Sequence, residues 1–321
     1  MKAVVVWGTQ LTIQHNSALQ AEPSAPVIMI ESLKVCRKYP YHKQKLRFVL
    51  TAMRDFADEL RDAGRTVHYS RLEDAKESWF DELADICKRH KIDQLVVMRQ
   101  NDRRPQQNLE AWCNQHGIKL ETTPNTMFLT SASQFEEWAG DQKRFLMENF
   151  YRWQRKRLDI LMDGDKPEGG AWNYDAENRQ PLPKDTKPPG INLPEPSKHA
   201  DDVEQLITRY FNDHPGSLET NWLPTKRSAA KRWLDRFITD RFEHFGAYED
   251  AMRKGETFLY HSGLSAMMNV GLLHPQEVVD AALKAKDIPL SGREGFIRQI
   301  VGWREHRTRR GVYHQGGSAG T

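Results

Sequence analysis

The chain has 321 residues, enough for about two domains of ordinary size. Apolar residues make up 38%, charged residues 28%, the formal net charge is +3 and the mean hydropathy is −0.74, so we expect a folded chain whose mild charge permits an anionic partner. No run of about 18 apolar residues occurs, and the short apolar run after Met1-Lys2 lacks a cleavage site. These observations exclude a membrane-spanning helix and a signal peptide, so we expect a soluble, cytoplasmic protein.

The first 125 residues alternate between short β-branched runs and helical periods. The predicted strands are Ala3–Trp7, Pro26–Ile30, Thr66–Tyr69, Gln94–Met98 and Ile118–Thr122. Helical spacing predicts helices around residues 46–60, 79–86 and 109–113, with Gly64 after the first and Gly117 after the third. Strands separated by helices of this length are typical of a parallel α/β sheet, whose ligands bind at the carboxyl ends of the strands. No glycine-rich dinucleotide motif or phosphate-binding loop occurs, and Gly8-Thr9-Gln10 is either an ordinary turn or a ligand-contacting turn.

Residues 164–200 are rich in proline and glycine, which predicts an ordered crossover on the surface. Beyond this crossover, helical spacing predicts helices over residues 203–211, 229–242, 275–285 and 294–305. The chain is therefore divided into an α/β domain over 1–130, a basic helix with the proline-rich linker over 131–200, and a helical domain over 201–321.

Two stretches of the chain concentrate basic residues. Lys143–Arg157 has six basic residues against Glu148 and has helical spacing, which predicts one buried face and one basic face. Lys284–Tyr313 has eight basic residues against three acidic ones. Basic side chains among aromatic ones are typical of phosphate-binding surfaces, and a solvated charged face explains the charge alone equally well.

A polar run, His261-Ser262-Gly263-Leu264-Ser265, precedes a short apolar stretch. Hydroxyls and free backbone N–H groups at the start of a helix suit a diphosphate, and simple N-capping by Ser262 or Ser265 explains the same residues. The twelve histidines show no metal-ligand spacing, and the three cysteines lie far apart. We therefore expect neither a metal site nor a disulfide framework.

Three segments together resemble the photolyase/cryptochrome superfamily, and within it the iron–sulphur bacterial cryptochromes and prokaryotic (6-4) photolyases. They are residues 147–179, which include Gly169-Gly170-Ala171-Trp172-Asn173-Tyr174-Asp175, residues 245–275, and residues 289–305. Their order and spacing match the family, and the resemblance is weaker over the first 125 residues. It implies a Rossmann-like α/β antenna domain, a long linker and an all-α flavin-binding domain.

The resemblance implies a non-covalent FAD, UV-damaged DNA as the partner, and DNA photolyase activity driven by light. It places nine residues at the flavin: Tyr248, His261, Ser262, Leu264, Ser265, Asn269, Gln299, Trp303 and Arg304. It places Arg152, Arg155 and Lys156 at DNA, and Gly8, Gln10 and Glu31 at a lumazine-type antenna chromophore. It also implies a monomer without membrane attachment.

The chain departs from the family at several positions. Val35, Lys38 and Tyr41-His42 stand where the family has an acidic residue, a tyrosine and a histidine pair, and Arg99-Gln100 replace an acidic-proline turn, so the antenna site is altered. The spacing before Arg310–Tyr313 is longer than in the family, and its cluster cysteines, catalytic histidine pair and electron-transfer aromatics have no counterpart here. We therefore expect a truncated, repair-deficient relative with no catalytic residues and no iron–sulphur cluster, which binds FAD weakly and is colourless when purified.

Two alternatives to this interpretation stay open. The chain is either a light-sensing cryptochrome-like or DNA-binding module without repair, or a fragment without a function of its own. A DNA-binding module is expected to prefer damaged DNA and to bind it with a steep salt dependence, whereas an inert fragment is not.

Overall fold

The computed structural model describes residues 1–140 and 142–308, which form two compact units. The first unit contains residues 1–127, 193–230 and 266–272, and the second contains the other described residues. The two units therefore alternate along the chain, whereas the sequence pattern divides it into consecutive segments at residues 130 and 200. That three-part division stays a prediction. The Gly/Ser-rich end of the chain and Arg310–Tyr313 lie outside the described residues.

The first unit is built on a five-stranded parallel sheet. Its strands are β1 (Lys2–Val5), β2 (Val27–Ile30), β3 (Val67–Ser70), β4 (Gln94–Met98) and β5 (Lys119–Thr123), in the spatial order β3-β2-β1-β4-β5. The inner strands β1, β2 and β4 are almost wholly buried because their β-branched runs are covered on both faces, and the edge strands are partly exposed. The predicted parallel α/β sheet is confirmed.

The helices of the first unit surround or extend this sheet. They are α1 (Ser17–Ala21), α2 (Leu33–Cys36), α3 (Lys43–Asp62), α4 (Trp79–Arg89), α5 (Arg103–His116) and, later in the chain, α8 (Ala200–Tyr210), with parts of α9 (Arg227–Asp240) and α11 (Ser265–Val270). As predicted, α5 ends at Gly117, which adopts a left-handed φ of 66° that a side chain would disfavour.

Residues 193–230 belong to the first unit because α8 packs against α3 through a continuous apolar core. The buried residues of this core include Leu46, Leu50, Val203, Ile207 and Phe211. Polar contacts add to it, since the buried Asp55 of α3 accepts hydrogen bonds from Ser197 Oγ at 2.7 Å and Thr225 Oγ1 at 2.6 Å.

The second unit is helical apart from one short hairpin of β6 (Met162–Asp163) and β7 (Lys166–Pro167). Its helices are α6 (Ala132–Ala139), α7 (Met147–Leu158), α10 (Phe242–Tyr248), α12 (Pro275–Lys284) and α13 (Leu290–Ile297), with the remainder of α9 and the first residue of α11, and a π-helix over Arg298–Arg304. A 3₁₀ turn spans Glu168–Gly170, and residues 171–199 have no helix or strand, so the segment without regular structure begins later than the crossover predicted from residue 164.

Two predictions for these helices need correction. The predicted helix over 294–305 is two elements, because α13 ends at Ile297 and the chain continues as the π-helix. The basic helix begins at Met147, not at Lys143. The helices predicted over 203–211, 229–242 and 275–285 are confirmed within three residues at each end.

Two glycines bring helices α10 and α13 into contact. A Cβ atom on Gly246 would lie 2.3 Å from the Cα atom of Gly292, so the two backbones pack directly against each other. Beside this contact, Phe237, Phe242 and Phe296 form a buried aromatic cluster with ring centroids 5.0–5.4 Å apart. Among the described residues, no helix is both long and apolar enough to cross a bilayer.

Candidate functional site

Eight of the nine predicted flavin residues belong to the second unit. Asn269 is the exception, since it lies in the part of α11 that belongs to the first unit. Four different elements of the second unit carry the eight: α10, the 261–264 segment, the first residue of α11, and the π-helix. The second unit therefore carries all of the predicted flavin residues except Asn269.

Tyr248 is the last residue of α10, and it is half-buried. Its ring centroid lies 5.3 Å from that of Tyr260, which in turn lies 5.1 Å from the ring of His244. The close packing of α10 on α13 at Gly246 fixes the position of this aromatic group. The Tyr248 hydroxyl is not used in a hydrogen bond to any described residue, so it is free to contact a polar ligand.

The 261–265 run leads into a helix of only six residues, α11, and its last residue, Ser265, is the first residue of that helix. Leu264 is buried with 1% exposure, and Ser262 accepts a hydrogen bond at its backbone oxygen from Trp233 Nε1 at 2.8 Å. The side chains of His261 and Ser265 form no hydrogen bond with the described residues, and they are half-buried and exposed respectively. This run therefore holds two polar side chains on a backbone that is anchored by Leu264 and Trp233.

The π-helix presents two of the predicted residues to solvent. Gln299 is exposed and Trp303 is 43% exposed, and their spacing of four residues suits one face of a π-helix, which has more residues per turn than an α-helix. Arg304 is half-buried, with its guanidinium carbon 5.0 Å from the ring centroid of Phe128, and burial lowers the pKa of this guanidinium.

A buried charge cluster joins the start of the π-helix to the crossover segment. Arg298 donates to Asp175 through Nη1 at 2.8 Å and through Nη2, and its Nε lies 3.3 Å from Oε1 of Glu294. Glu294 has no exposed surface, and its Oε2 accepts from the backbone N–H of Tyr174 at 3.2 Å. Burial raises the pKa of Glu294, while the nearby Arg298 opposes this shift. The same Arg298 lowers the pKa of Asp175.

The three predicted DNA residues on α7 lie in different surroundings. Arg152 is exposed and pairs with Glu148 at 3.1 Å, and Lys156 is exposed. Arg155, in contrast, is fully buried, and its guanidinium donates to the backbone oxygens of Ile160, Leu161 and Trp172. Direct contact between Arg155 and phosphate is therefore inconsistent with its position, because all of its bonds are made inside the unit.

The predicted antenna residues of the first unit also make internal bonds. Both carboxylate oxygens of Glu31 are used, by Arg54 at 2.8 and 3.0 Å, the Tyr69 hydroxyl at 2.6 Å and the backbone N–H of Leu72 at 2.8 Å. Gln10 is buried and its Nε2 donates to the backbone oxygen of Met98, the last residue of β4, at 3.1 Å and to that of Arg99 at 3.2 Å.

The space beside Gly8 is also filled, since a Cβ there would lie 2.9 Å from the sulphur of Met53. Of the polar groups of Gln10 and Glu31, Oε1 of Gln10 is the one that no described residue contacts by a hydrogen bond. These residues therefore do not fit a second chromophore as its main hydrogen-bonding partners.

Sequence reasoning missed the charged partners that hold these segments together. Arg298 and Glu294 stand at i and i−4, a spacing that indicates a helical ion pair, although their shared burial is not visible in the sequence. Arg54 is 23 residues from Glu31, and no local pattern joins them.

Comparison with known proteins places these features in a family. The sequence model of the deoxyribodipyrimidine photo-lyase-related protein family matches residues 4–222. The chain belongs to this family. The resemblance to photolyases stated above is therefore confirmed.

Individual relatives of the family include proteins with and without an assigned activity. The chain is 36% identical over 292 residues to a (6-4) photolyase of Agrobacterium fabrum, an alignment that covers 89% of this chain and 57% of that protein. It is also 28% identical over 143 residues to an uncharacterised protein of Acanthamoeba polyphaga mimivirus, covering 43% of this chain and 71% of that one. The chain thus spans little more than half the length of the (6-4) photolyase.

The crystal structure of a bacterial class III photolyase from Agrobacterium tumefaciens shares the fold. It superimposes with a TM-score of 0.60 and 17% sequence identity, over 98% of this chain and 59% of that chain. At this identity the likeness shows the fold and not the activity.

Proposed function

We propose that this chain is a photolyase-related flavoprotein that acts on UV-damaged DNA. Membership of the photolyase-related family is the observation that carries the proposal. The grouping of eight predicted flavin residues in one helical unit supports it, since a site assembled from several elements of one unit can keep its geometry.

The side chains available to FAD are those that the protein does not use internally. Tyr248, His261 and Ser265 offer a phenol, an imidazole and a hydroxyl without hydrogen-bond partners among the described residues. Gln299 and Trp303 add an amide and an exposed indole. FAD held by these residues would supply light-driven electron transfer. The residues of this chain bind the cofactor, orient it and exclude water.

The proposed DNA contacts are the exposed cations of α7. Arg152 and Lys156 lie 5.5 and 5.7 Å from the ring centroid of Trp172, so both cations converge on one half-buried indole. Arg155 supports this group from below, because it lies 5.3 Å from the same ring and bonds the backbone oxygen of Trp172 at 3.2 Å. We assign phosphate binding to Arg152 and Lys156, and a positioning role to Arg155.

Two predictions concern the activity of these 321 residues without any further polypeptide. Weak FAD binding and the lack of photoproduct repair stay predictions. The three cysteines, Cys36, Cys87 and Cys113, are too few for the four thiolate ligands of an iron–sulphur cluster.

A DNA-binding measurement tests the proposed function. Fluorescence anisotropy is measured with a duplex that carries one (6-4) photoproduct and with the same duplex undamaged, over a range of salt concentrations. We expect tighter binding to the damaged duplex. We also expect the double substitution Arg152→Ala and Lys156→Ala to lower the salt slope by about 0.9 for each phosphate that the variant no longer neutralises.

The matched control is Lys184→Ala with Lys187→Ala, which removes two exposed lysines of the same unit. Equal affinity for damaged and undamaged duplex, or a slope that the control changes as much as the α7 variant, contradicts the proposal. Damaged-DNA binding without repair under blue light identifies a module without repair activity. Absence of any binding identifies an inert fragment.

A further inference from the structure

A uniformly basic surface follows β2 in the first unit. The sequence has no acidic residue between Glu31 and Asp55. Five cations of this segment are at least partly exposed: Lys34, Arg37, Lys38, Lys43 and Lys45. We call the exposed side chains of residues 34–45 the Lys34–Lys45 surface. None of the five forms an ion pair with a carboxylate of the described residues. The two other cations of the segment are buried and paired, Arg47 with Glu204 and Arg54 with Glu31.

The buried and the exposed cations of this segment differ in whether they have a carboxylate partner. Both buried cations of this segment have a carboxylate partner, which offsets the cost of burying their charge. The outward cations have no such partner. Their mutual repulsion therefore raises the free energy of the folded protein, and a bound anionic ligand would reduce this repulsion.

Two tyrosines stand among these cations. Tyr39 is 55% exposed, and its ring lies nearly perpendicular to that of Tyr41, with centroids 5.7 Å apart. The ammonium of Lys38 is 5.3 Å from the ring centroid of Tyr39, and that of Lys45 is 4.2 Å from the ring centroid of Tyr41. An exposed ring flanked by lysines is the arrangement that stacks an unpaired base beside its phosphate.

The surface is anchored to the segment that follows α8. The backbone N–H of Lys43 donates to the oxygen of Pro215 at 2.9 Å, and the backbone oxygen of Tyr41 lies 2.9 Å from Nδ1 of His214. Arg37 donates through Nη2 to the backbone oxygen of Tyr210 at 3.2 Å. These bonds fix the backbone on both sides of Tyr39, so the ring is presented without further ordering of the chain.

We propose that the Lys34–Lys45 surface binds single-stranded nucleic acid, with the lysines at successive phosphates and Tyr39 stacked on an unpaired base. The proposal goes beyond the proposed function because it requires neither FAD nor a photoproduct. It involves the positions Val35, Lys38 and Tyr41, where the chain departs from the photolyase family's antenna residues.

A nucleic acid fits these residues better than a membrane does. The large apolar side chains exposed in this segment are Val35 and Tyr39, and α2 has four residues, too few for an amphipathic helix that lies in a bilayer surface. Stacking, in contrast, needs one ring, and phosphate binding needs cations that have no carboxylate partner.

The test uses the full chain in the dark without added flavin. Fluorescence anisotropy is measured with an undamaged single-stranded oligothymidine of about 12 nucleotides and with the corresponding duplex, between about 50 and 200 mM salt. We expect the single strand to bind more tightly than the duplex. We expect Tyr39→Ala to weaken single-strand binding about tenfold and Tyr39→Phe to leave it unchanged, since stacking needs the ring and not the hydroxyl.

Charge variants complete the experiment. Lys38→Ala and Lys45→Ala should each lower the salt slope by about 0.7, and the control Lys88→Ala, an exposed lysine of α4 in the same unit, should leave it unchanged. Equal affinity for single strand and duplex overturns the proposal, as does a Tyr39→Ala variant that binds like the wild type. Binding to vesicles of anionic lipid without binding to the oligonucleotide overturns it in favour of a membrane surface.

The results distinguish a failure of this inference from a failure of the proposed function. Loss of lesion preference with Tyr39-dependent single-strand binding intact contradicts the proposed function alone. Lesion preference without Tyr39-dependent binding contradicts this inference alone.

Discussion

The substitution Arg298→Met removes the cation at the centre of the buried charge cluster in the second unit. Methionine fills a similar volume, so the main change is electrostatic. The substitution leaves Glu294, which has no exposed surface, and Asp175 without the guanidinium that both now contact. Removing one partner of a buried ion pair costs about 3–5 kcal/mol because the remaining charge stays desolvated.

The expected loss is large enough to measure by thermal unfolding. In a unit of this size each kcal/mol shifts the midpoint by about 2–4 °C, so we expect the variant to unfold roughly 6–20 °C below the wild type near neutral pH. The matched control is Arg232→Met, an exposed arginine of α9. We expect the control to change the midpoint by less than about 2 °C.

The pH dependence gives a sharper test of the cause. Burial raises the pKa of Glu294 above its ordinary 4.5, and Arg298 opposes this rise. A carboxyl whose folded pKa is raised binds its proton more tightly in the folded state, so its charge destabilises the protein as pH rises through that pKa. Without Arg298 this pKa rises further, and the penalty of the variant should be greater at pH 8 than at pH 5.

Asp175 adds to the penalty of the variant by a similar amount at both pH values. Arg298 lowers its pKa below the ordinary 3.8, so the stabilisation it provides is present above 3.8 and is lost as pH falls through the lowered value. The variant therefore forfeits that stabilisation at both pH 5 and pH 8. The assay is circular dichroism melting of wild type, variant and control at the two pH values. A penalty that is equal at both, or no greater than that of the control, refutes the reasoning.

Three further predictions concern stability. Gly246→Ala should destabilise the second unit by at least about 2 kcal/mol by chemical denaturation, because the new Cβ would lie 2.3 Å from backbone, and a neutral effect contradicts the close helix contact. Glu31→Gln should lower the first unit's stability by about 3 kcal/mol, since the buried Arg54 then keeps only Glu73, at 3.0 Å, as a carboxylate partner, and a change below about 1 kcal/mol contradicts this. Burial raises the pKa of Asp58, but hydrogen bonds from Lys198 and His199 outweigh this effect and lower the pKa to about 2. Asp58→Asn should therefore cost about 2 kcal/mol at neutral pH, a cost that vanishes in melts as pH falls from 3.8 through about 2, and a pH-independent cost contradicts it.

The sheet and most helices could be predicted because their patterns are local. Short β-branched runs such as Gln94–Met98, separated by helical periods, define buried parallel strands. Gly117 marks the end of α5 because only a residue tolerant of positive φ suits that position. Both features depend on residues within a few positions of each other.

The parts that could not be predicted depend on distant residues. Arg155 lies on a face that helical spacing makes apolar, and a charged side chain there is expected to turn outward. It stays buried because Asp159, at φ 53°, ends α7 and turns the oxygens of Ile160 and Leu161 toward its guanidinium. The unbonded state of Tyr248 and His261, likewise, depends on what surrounds them in space.

An FAD titration of the purified chain tests whether the second unit supplies flavin contacts. We expect the protein to be colourless as purified and to bind added FAD weakly and saturably, followed by flavin fluorescence. We expect Ser265→Ala and His261→Ala to weaken this binding, and Ser133→Ala, which alters an exposed serine of the same unit, to leave it unchanged. Absence of saturable binding, or binding that the Ser265 and His261 variants leave intact, would contradict the claim.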